Sequence, residues 1–364
     1  MEKEFVCREQ VNLLRHRISK AEETNATQEL DSFLNTLQQQ RHSKLLSILV
    51  VGAGGSYPAA IFAKCALTFK LNTPYVYAVT PQTAVRILNP VGISLAANAP
   101  HYDLVIGISY SGKTEDIKAV AKLCKERKYC FMLITGAEKI SLKEDYLGVR
   151  AKIISYFNPN DTSGKERGMI SMFSTLAPVI IFDDDASDKF FKQYQDSLQK
   201  AEAFVNSLNI EAIANAIKEH PVIHVFYELD TLATAKDIES KFVESGISNV
   251  VMHEKKNFSH GRYTLLYKQP FGLAINLLRP IRSNGFEILL AGFLKYLCLK
   301  HEVPYLELRS DLLYVTHWNV DMLMVLPFLI TKIGEELGVD ISKPFKPGPF
   351  PEEAKELFSY NGKF

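Results

Sequence analysis

Two short runs of glycine and hydroxyl residues carry most of the chemistry legible in this chain. Gly52-Ala53-Gly54-Gly55-Ser56-Tyr57 follows the apolar run 46–51, and Ser109-Tyr110-Ser111-Gly112-Lys113-Thr114 follows 103–108. Each has the pattern of a buried strand, a tight turn and an amphipathic helix. That arrangement aims backbone N–H groups and Ser/Thr hydroxyls at one point beside the positive end of a helix dipole, and such a point binds an anion. On neighbouring parallel strands the two loops would meet at the carboxyl ends, where open α/β sheets bind ligands.

Each loop also has a plainer explanation. The first is equally a tight turn needed for packing. It is not a dinucleotide fingerprint: the third glycine is missing and no acidic residue ends the next strand, 75–79. Neither loop is a P-loop, since no G-x-x-x-x-G-K-[ST] is present. In the second loop, Thr114 suits the cap of the following helix. Capping leaves Ser109 and Ser111 unexplained. Lys113 could add charge or point to solvent.

The elements that would position these loops alternate. Short apolar runs at 46–51, 75–79, 104–109, 130–135 and 152–155 read as strands, with helical segments such as 58–70 and 115–127 between them. Ile117, Val120, Ala121 and Cys124 fall at i, i+3, i+4 and i+7. Such alternation means a parallel sheet with crossover helices. It stops near Asp183-Asp184-Asp185, read as a solvated linker, and restarts with strands at 222–227, 249–252, 271–278 and 305–308. The expected order is a helical leader (1–44), a first α/β domain (45–185), a helical linker (186–217), a second α/β domain (218–341) and a Pro-rich tail (342–364). Two similarly organised halves suggest an internal duplication.

Bulk properties exclude several classes. A length of 364 residues suits two domains, and an apolar fraction of 47% supplies cores. A net charge of +1 with no basic block argues against nucleic acid or an anionic membrane surface as partner. The acidic, polar start is unlike a secretion signal, and no apolar run reaches the ~20 residues of a membrane span. Five scattered cysteines without C-x-x-C read as reduced thiols of a cytoplasmic protein.

The S-x-S-G-x-T pattern at 109–114, one crossover after the G-x-S of Gly54-Gly55-Ser56, resembles the sugar isomerase (SIS) domain family. Lys241-Phe242-Val243-Glu244 resembles the K-x-x-E of the isomerase half of glucosamine-6-phosphate synthase, and His260-Gly261 resembles its H-G at a similar spacing. The resemblance implies two doubly wound parallel-sheet SIS domains, flavodoxin-like three-layer sandwiches, without the glutaminase domain. It implies a phosphosugar or aminosugar-phosphate ligand held by Gly54, Gly55, Ser56, Ser109, Tyr110, Ser111 and Thr114. It also implies a homodimer, in which the histidine can come from the neighbouring subunit. The stretch Asn160 to Gly168 resembles the loop that closes on the sugar, with Ser171 matching a substrate-contacting serine and Lys241 a substrate-binding lysine. Tyr110 stands where the synthase pattern has an amide. The stretch 281–285 is a degenerate counterpart of the phosphate loop, and Lys355 and Lys363 do not match the synthase's terminal lysine. One phosphate site per chain is therefore expected.

Glu244 and His260 suit aldose–ketose isomerisation, which moves a proton between C1 and C2 through an enediol and needs a carboxylate base and a proton-passing group near neutral pH. The plainer reading of Glu244 is a solvated helix face, with Asp237–Lys241 a surface ion pair at i, i+4. That of His260 is a structural histidine; His253 and Glu254 are weaker candidates. No organic cofactor is needed and no metal ligand set is indicated. The expected function is a phosphosugar isomerase or aminosugar-phosphate isomerase/deaminase. The alternatives are a sugar-phosphate-binding regulator, which has no use for Glu244 with His260, and cleavage of a sugar–amine adduct.

Overall fold

The computed structural model describes residues 5–41, 45–89, 101–146, 151–167, 170–183, 188–278, 285–309 and 315–342. Contacts divide the chain into two compact units. The first contains the described residues of Ile18–Thr162 and Ala177–Asp184. The second contains those of Met1–Arg17, Ser163–Leu176 and Asp185–Pro344.

In chain order, α1 (Val6–Glu22) and α2 (Ala26–Gln40) lead to β1 (Ile48–Gly52), α3 (Ser56–Lys70), β2 (Val76–Val79), α4 (Pro81–Leu88) and β3 (Leu104–Ile108). Then come α5 (Glu115–Arg127), β4 (Phe131–Thr135) and β5 (Ala151–Ser155). The five strands form one parallel sheet in the order β2-β1-β3-β4-β5. β1, β3 and β4 are buried at every position, as parallel strands covered by helices on both faces must be. That is why they read as unbroken apolar runs. One face of the sheet is sealed by the stripe Ile117, Val120, Ala121 and Cys124 of α5 packing on Val105, Phe131 and Leu133. The Ile, Val, Leu and Phe side chains among these each contribute roughly 1.5–3 kcal/mol on full burial. α3 starts at Ser56, two residues before Pro58, because proline is tolerated in a helix's first turn.

The chain continues through α6 (Phe173–Phe182), α7 (Asp188–Asn206), α8 (Ile210–Glu219), β6 (Val222–Tyr227), α9 (Leu232–Glu244) and β7 (Asn249–Glu254). There follow α10 (Lys255–Asn257), a kinked turn at Phe258–Arg262, α11 (Tyr263–Lys268), β8 (Leu273–Leu278), α12 (Gly285–Lys300), β9 (Tyr305–Arg309) and α13 (Val315–Glu336). The second sheet is also parallel, in the order β7-β6-β8-β9. Its four strands repeat the order of the first four in the first sheet, β2-β1-β3-β4. α13 packs on α7, α8 and α9, so the stretch expected as a linker takes part in the second unit's core. The start of α1 belongs to this unit too: the N–H groups of Val6 and Cys7 donate to the Asp340 carboxylate at 3.0 and 3.4 Å.

Asp183 is buried, with its N–H on the Val179 and Ile180 carbonyls, so it is part of the end of α6 and not of a solvated linker. Residues 184 and 185, the degenerate stretch 281–284, Gly168 and the tail from 343 lie outside the described residues. Among the described residues no helix is long and apolar enough to cross a membrane, and no group of three metal-ligating side chains occurs.

Candidate functional site: two hydroxyl loops at a sheet's switch point

In the first sheet β1 lies between β2 and β3, and Gly52 is in register with Ile108. The two loops therefore leave adjacent strands at the same level. The chain winds away from β1 to β2 on one side and from β3 to β4 on the other. This is the topological switch point of the 2-1-3-4-5 order, where such sheets open a crevice for ligands.

The first loop is tight for steric reasons. A side chain on Gly52 would lie 2.3 Å from the Ser56 carbonyl oxygen, and Gly54 has φ +51°, which glycine adopts at no cost. Packing thus explains Gly52 and Gly54. It does not explain Ser56, which is half-buried at the N-terminus of α3 and whose hydroxyl bonds to no described residue.

The second loop is braced on three sides. The Gly112 N–H donates to Ser109 Oγ at 3.2 Å, and the Tyr146 hydroxyl donates to the Gly112 carbonyl at 2.7 Å. Thr135 Oγ1 and the Gly136 N–H both donate to the Tyr110 carbonyl at 3.0 Å. Gly112 has φ +64°, and a Cβ there would stand 2.7 Å from Leu142 Cδ1. Ser109 Oγ is 3.3 Å from Thr114 Oγ1. Thr114 occupies the cap position of α5, yet its side chain makes no capping bond. The capping explanation of Thr114 therefore fails, and the end of α5 is left for another acceptor. Ser111 is exposed, its Oγ accepting from the Lys113 N–H at 3.2 Å, and Lys113 itself is exposed. Tyr110 is committed to β4 through its carbonyl, with its ring against Gly136. Glu115 and Asp116 in the first turn of α5 oppose an anion there; Lys118 offsets this, pairing with Glu115 at 3.3 Å and Asp145 at 2.9 Å.

With this geometry in place, comparison with known proteins is decisive for the segment that carries both loops. Residues 41–151 match the family model of the SIS domain. The chain carries a SIS domain. Solved structures show a likeness of fold over almost the whole chain. A tagatose-6-phosphate ketose/aldose isomerase from Escherichia coli superposes with a TM-score of 0.70 at 16% identity, covering 95% of this chain and 97% of that one. The C-terminal domain of glucosamine-fructose-6-phosphate aminotransferase from Francisella tularensis gives 0.66 at 15%, covering 93% and 98%. A glucosamine-6-phosphate deaminase from Thermotoga maritima gives 0.54 at 16%, covering 91% and 98%. No curated protein sequence matches.

The second unit holds the remaining candidates. On α9, Asp237 and Lys241 form an ion pair that is buried, so it is not the surface pair its spacing suggested. Burial pushes the Asp237 carboxyl up against the pull of Lys241, and the charge of Glu244 adds to the push. Glu244 ends α9, half-buried, accepting from Ser240 Oγ at 2.5 Å. Lys241 is thus committed to Asp237. His260 is exposed in the kinked turn after β7, where Gly261 takes φ +105° and redirects the chain. It lines a cleft of about 710 Å³ with Glu228, Leu229, Asp230, Glu254, Lys256, Ser259 and Phe286.

Glu244 and His260 are not brought together in this unit. α9 runs from the carboxyl end of β6 back to the amino end of β7, where the Asn249 N–H meets the Pro221 carbonyl. Glu244 is therefore at the amino edge of the sheet. His260 lies beyond the carboxyl edge, the length of a six-residue strand away, about 17–20 Å.

Three features escaped the sequence reading. The stretch 160–167 is clasped, with buried Arg17 donating to Ser163 Oγ at 3.2 Å, the Lys165 carbonyl at 3.3 Å and Gln10 Oε1 at 2.7 Å. Glu166 accepts from the N–H groups of Met172, Phe173 and Ser174 at 2.7, 2.7 and 3.0 Å, capping α6, and Ser171 sits half-buried just before that helix. β7 continues past 252, so His253 is buried with its Nε2 2.8 Å from His224 Nδ1. A carboxylate a few residues before an apolar helix was the available signal for Glu166.

Proposed function

We propose that the protein is a phosphosugar isomerase, or an aminosugar-phosphate isomerase/deaminase, working through an enediol-type intermediate. The observation that carries this reading is the pair of hydroxyl loops at the switch point of a SIS domain. Ser56, Ser109, Ser111 and Thr114, with the N–H groups of Gly54 and Gly55, hold the phosphate of the sugar. Neutral donors and two helix ends suit a dianion in a chain with net charge of only +1. Glu244 removes the proton at C2 of an aldose phosphate and returns it at C1, while His260 passes protons between the hydroxyl oxygens or to the ring oxygen. No external oxidant or cofactor enters the balance. Ser171 is a candidate contact to the sugar. Because Glu244 and His260 sit at opposite edges of one sheet, a single substrate meets both only if the two come from different copies of the chain.

The names of the structural neighbours support the same class, since one is an aldose–ketose isomerase and another an aminosugar-phosphate deaminase. The test is a thermal-shift screen of hexose, pentose and aminosugar phosphates, followed by turnover and solvent-deuterium exchange at C2. Ligand at a hundred times its Kd adds about 2.7 kcal/mol to stability, which such a screen detects. A protein that binds a sugar phosphate yet shows neither turnover nor exchange is a regulator instead.

A further inference from the structure

Strand β9 ends the second sheet: β8 pairs with one side, and among the described residues no strand pairs with the other. In the first sheet the corresponding strand, β4, has β5 on that side. The Ala274 N–H donates to the Pro304 carbonyl at 3.2 Å, and Ala274 is in register with Tyr305. That phase of a parallel ladder turns the main-chain groups of 304, 306 and 308 to β8 and those of Tyr305, Glu307 and Arg309 to the open edge. The Glu307 and Arg309 N–H groups have no partner among the described residues. Such a row of spare donors at a sheet edge invites an acceptor.

A cavity of about 250 Å³ lies at this end of β9, between α7 and α13. Much of its wall is apolar, with Ala201, Leu308 and Met322 buried against it. The acidic groups of the wall are already engaged. The Glu307 carboxylate takes the Tyr305 hydroxyl at 3.0 Å, Lys295 at 3.1 Å and Arg309 at 3.9 Å, and Asp321 has a partner as well. The groups with capacity left are donors. Ser197 is only 9% exposed, yet its hydroxyl bonds to no described residue. Lys200 is exposed and in no ion pair with a described residue. Arg309 keeps the N–H groups that one long contact leaves over.

We propose that this cavity binds a small organic carboxylate with an apolar body. The carboxylate meets Ser197, Lys200 and the edge of β9, and the body lies against Leu308 and Met322. The space equals that of roughly eight water molecules, which suits one aromatic ring or a short alkyl chain. Lys200 and Arg309 balance Glu307 and Asp321, so the wall suits a monoanion better than a phosphate dianion. The site lies within the second unit and does not rest on the phosphosugar reading.

Met322 reports on the cavity directly. In the full chain, isotope-labelled at its methionine methyls, Met322→Leu assigns that resonance among the seven. Benzoate and hexanoate shift it saturably. Benzamide, the uncharged isostere of benzoate, and hexylamine bind at least ~10-fold more weakly, because they leave the spare donors without a carboxylate. Ser197→Ala/Lys200→Gln raises the benzoate Kd by at least ~10-fold, as expected for lost hydrogen bonds to a charged group, with the other methionine resonances in place. Should that variant not fold, benzoate against benzamide on the wild type decides. A Met322 methyl that neither carboxylate moves, benzamide or hexylamine binding as tightly as the carboxylates, or a folded variant with wild-type affinity overturns the proposal.

Discussion

The Ser109 and Thr114 hydroxyls stand 3.3 Å apart across the turn that joins β3 to α5. Neither is spent on capping the helix. Two hydroxyls sharing one hydrogen bond can each turn to a third, stronger acceptor without leaving a buried group unpaired. The turn is braced from Tyr146 and Thr135, so its shape does not await the ligand.

The first expectation concerns phosphate binding. Ser111→Ala weakens sugar-phosphate binding by about 1.5–3 kcal/mol, the range for a hydrogen bond to a charged group. Isothermal titration measures it. If Ser109→Ala/Ser111→Ala binds sugar phosphates as tightly as wild type, the loop is only structural.

Glu244→Gln keeps shape and hydrogen-bonding capacity but removes the base. Turnover falls by roughly 10²–10⁴-fold, with Kd nearly unchanged, and deuterium exchange at sugar C2 disappears. Exchange that persists in the variant keeps the enzyme and discards Glu244 as its base.

Lys241→Met strips the partner from a buried carboxylate. It should destabilise the second unit by about 3–5 kcal/mol, whereas Asp237→Leu/Lys241→Met together cost much less, because removing both charges leaves no orphan. Urea unfolding of the two variants distinguishes this from a surface pair, whose loss costs under about 1 kcal/mol.

The histidine pair makes stability fall in mild acid. Burial, with the proximity of His253, holds His224 down to about 3, and burial with Arg262 nearby holds His253 down to about 4, against an ordinary 6.5. Between pH 6.5 and 4 the unfolded chain binds protons that the folded chain refuses, so stability rises with pH through that window and is level above it. Denaturation midpoints measured from pH 7.5 to 4.5 should drop in wild type and drop less in His224→Phe/His253→Phe. Parallel curves for the two proteins would refute the assignment.

The parallel architecture was legible because strands buried on both faces leave unbroken apolar runs, and because Ile117, Val120, Ala121 and Cys124 keep helical spacing. The hydroxyl loops were legible because their residues are contiguous. Burial of Asp237 and Lys241 was hidden, since i, i+4 spacing is the same on a wet face and in a core. Their place beside Thr234 and Ile238 on the buried stripe was the missed cue. The end of β7 was set too early because a histidine breaks an apolar run, yet His224 lets His253 be buried. The clasp on the stretch 160–167 was out of reach of local reasoning: Arg17 and Ser163 are 146 residues apart.

The bond from the Val6 N–H to Asp340 spans 334 positions. During synthesis at about 5–20 residues per second, the start of α1 must wait roughly 20–70 s for the carboxylate that caps it. Ile18–Thr162, with the whole first sheet, emerges long before that. The half that carries the two hydroxyl loops can therefore form while the chain is still growing, and the other half closes last, from both of its ends at once.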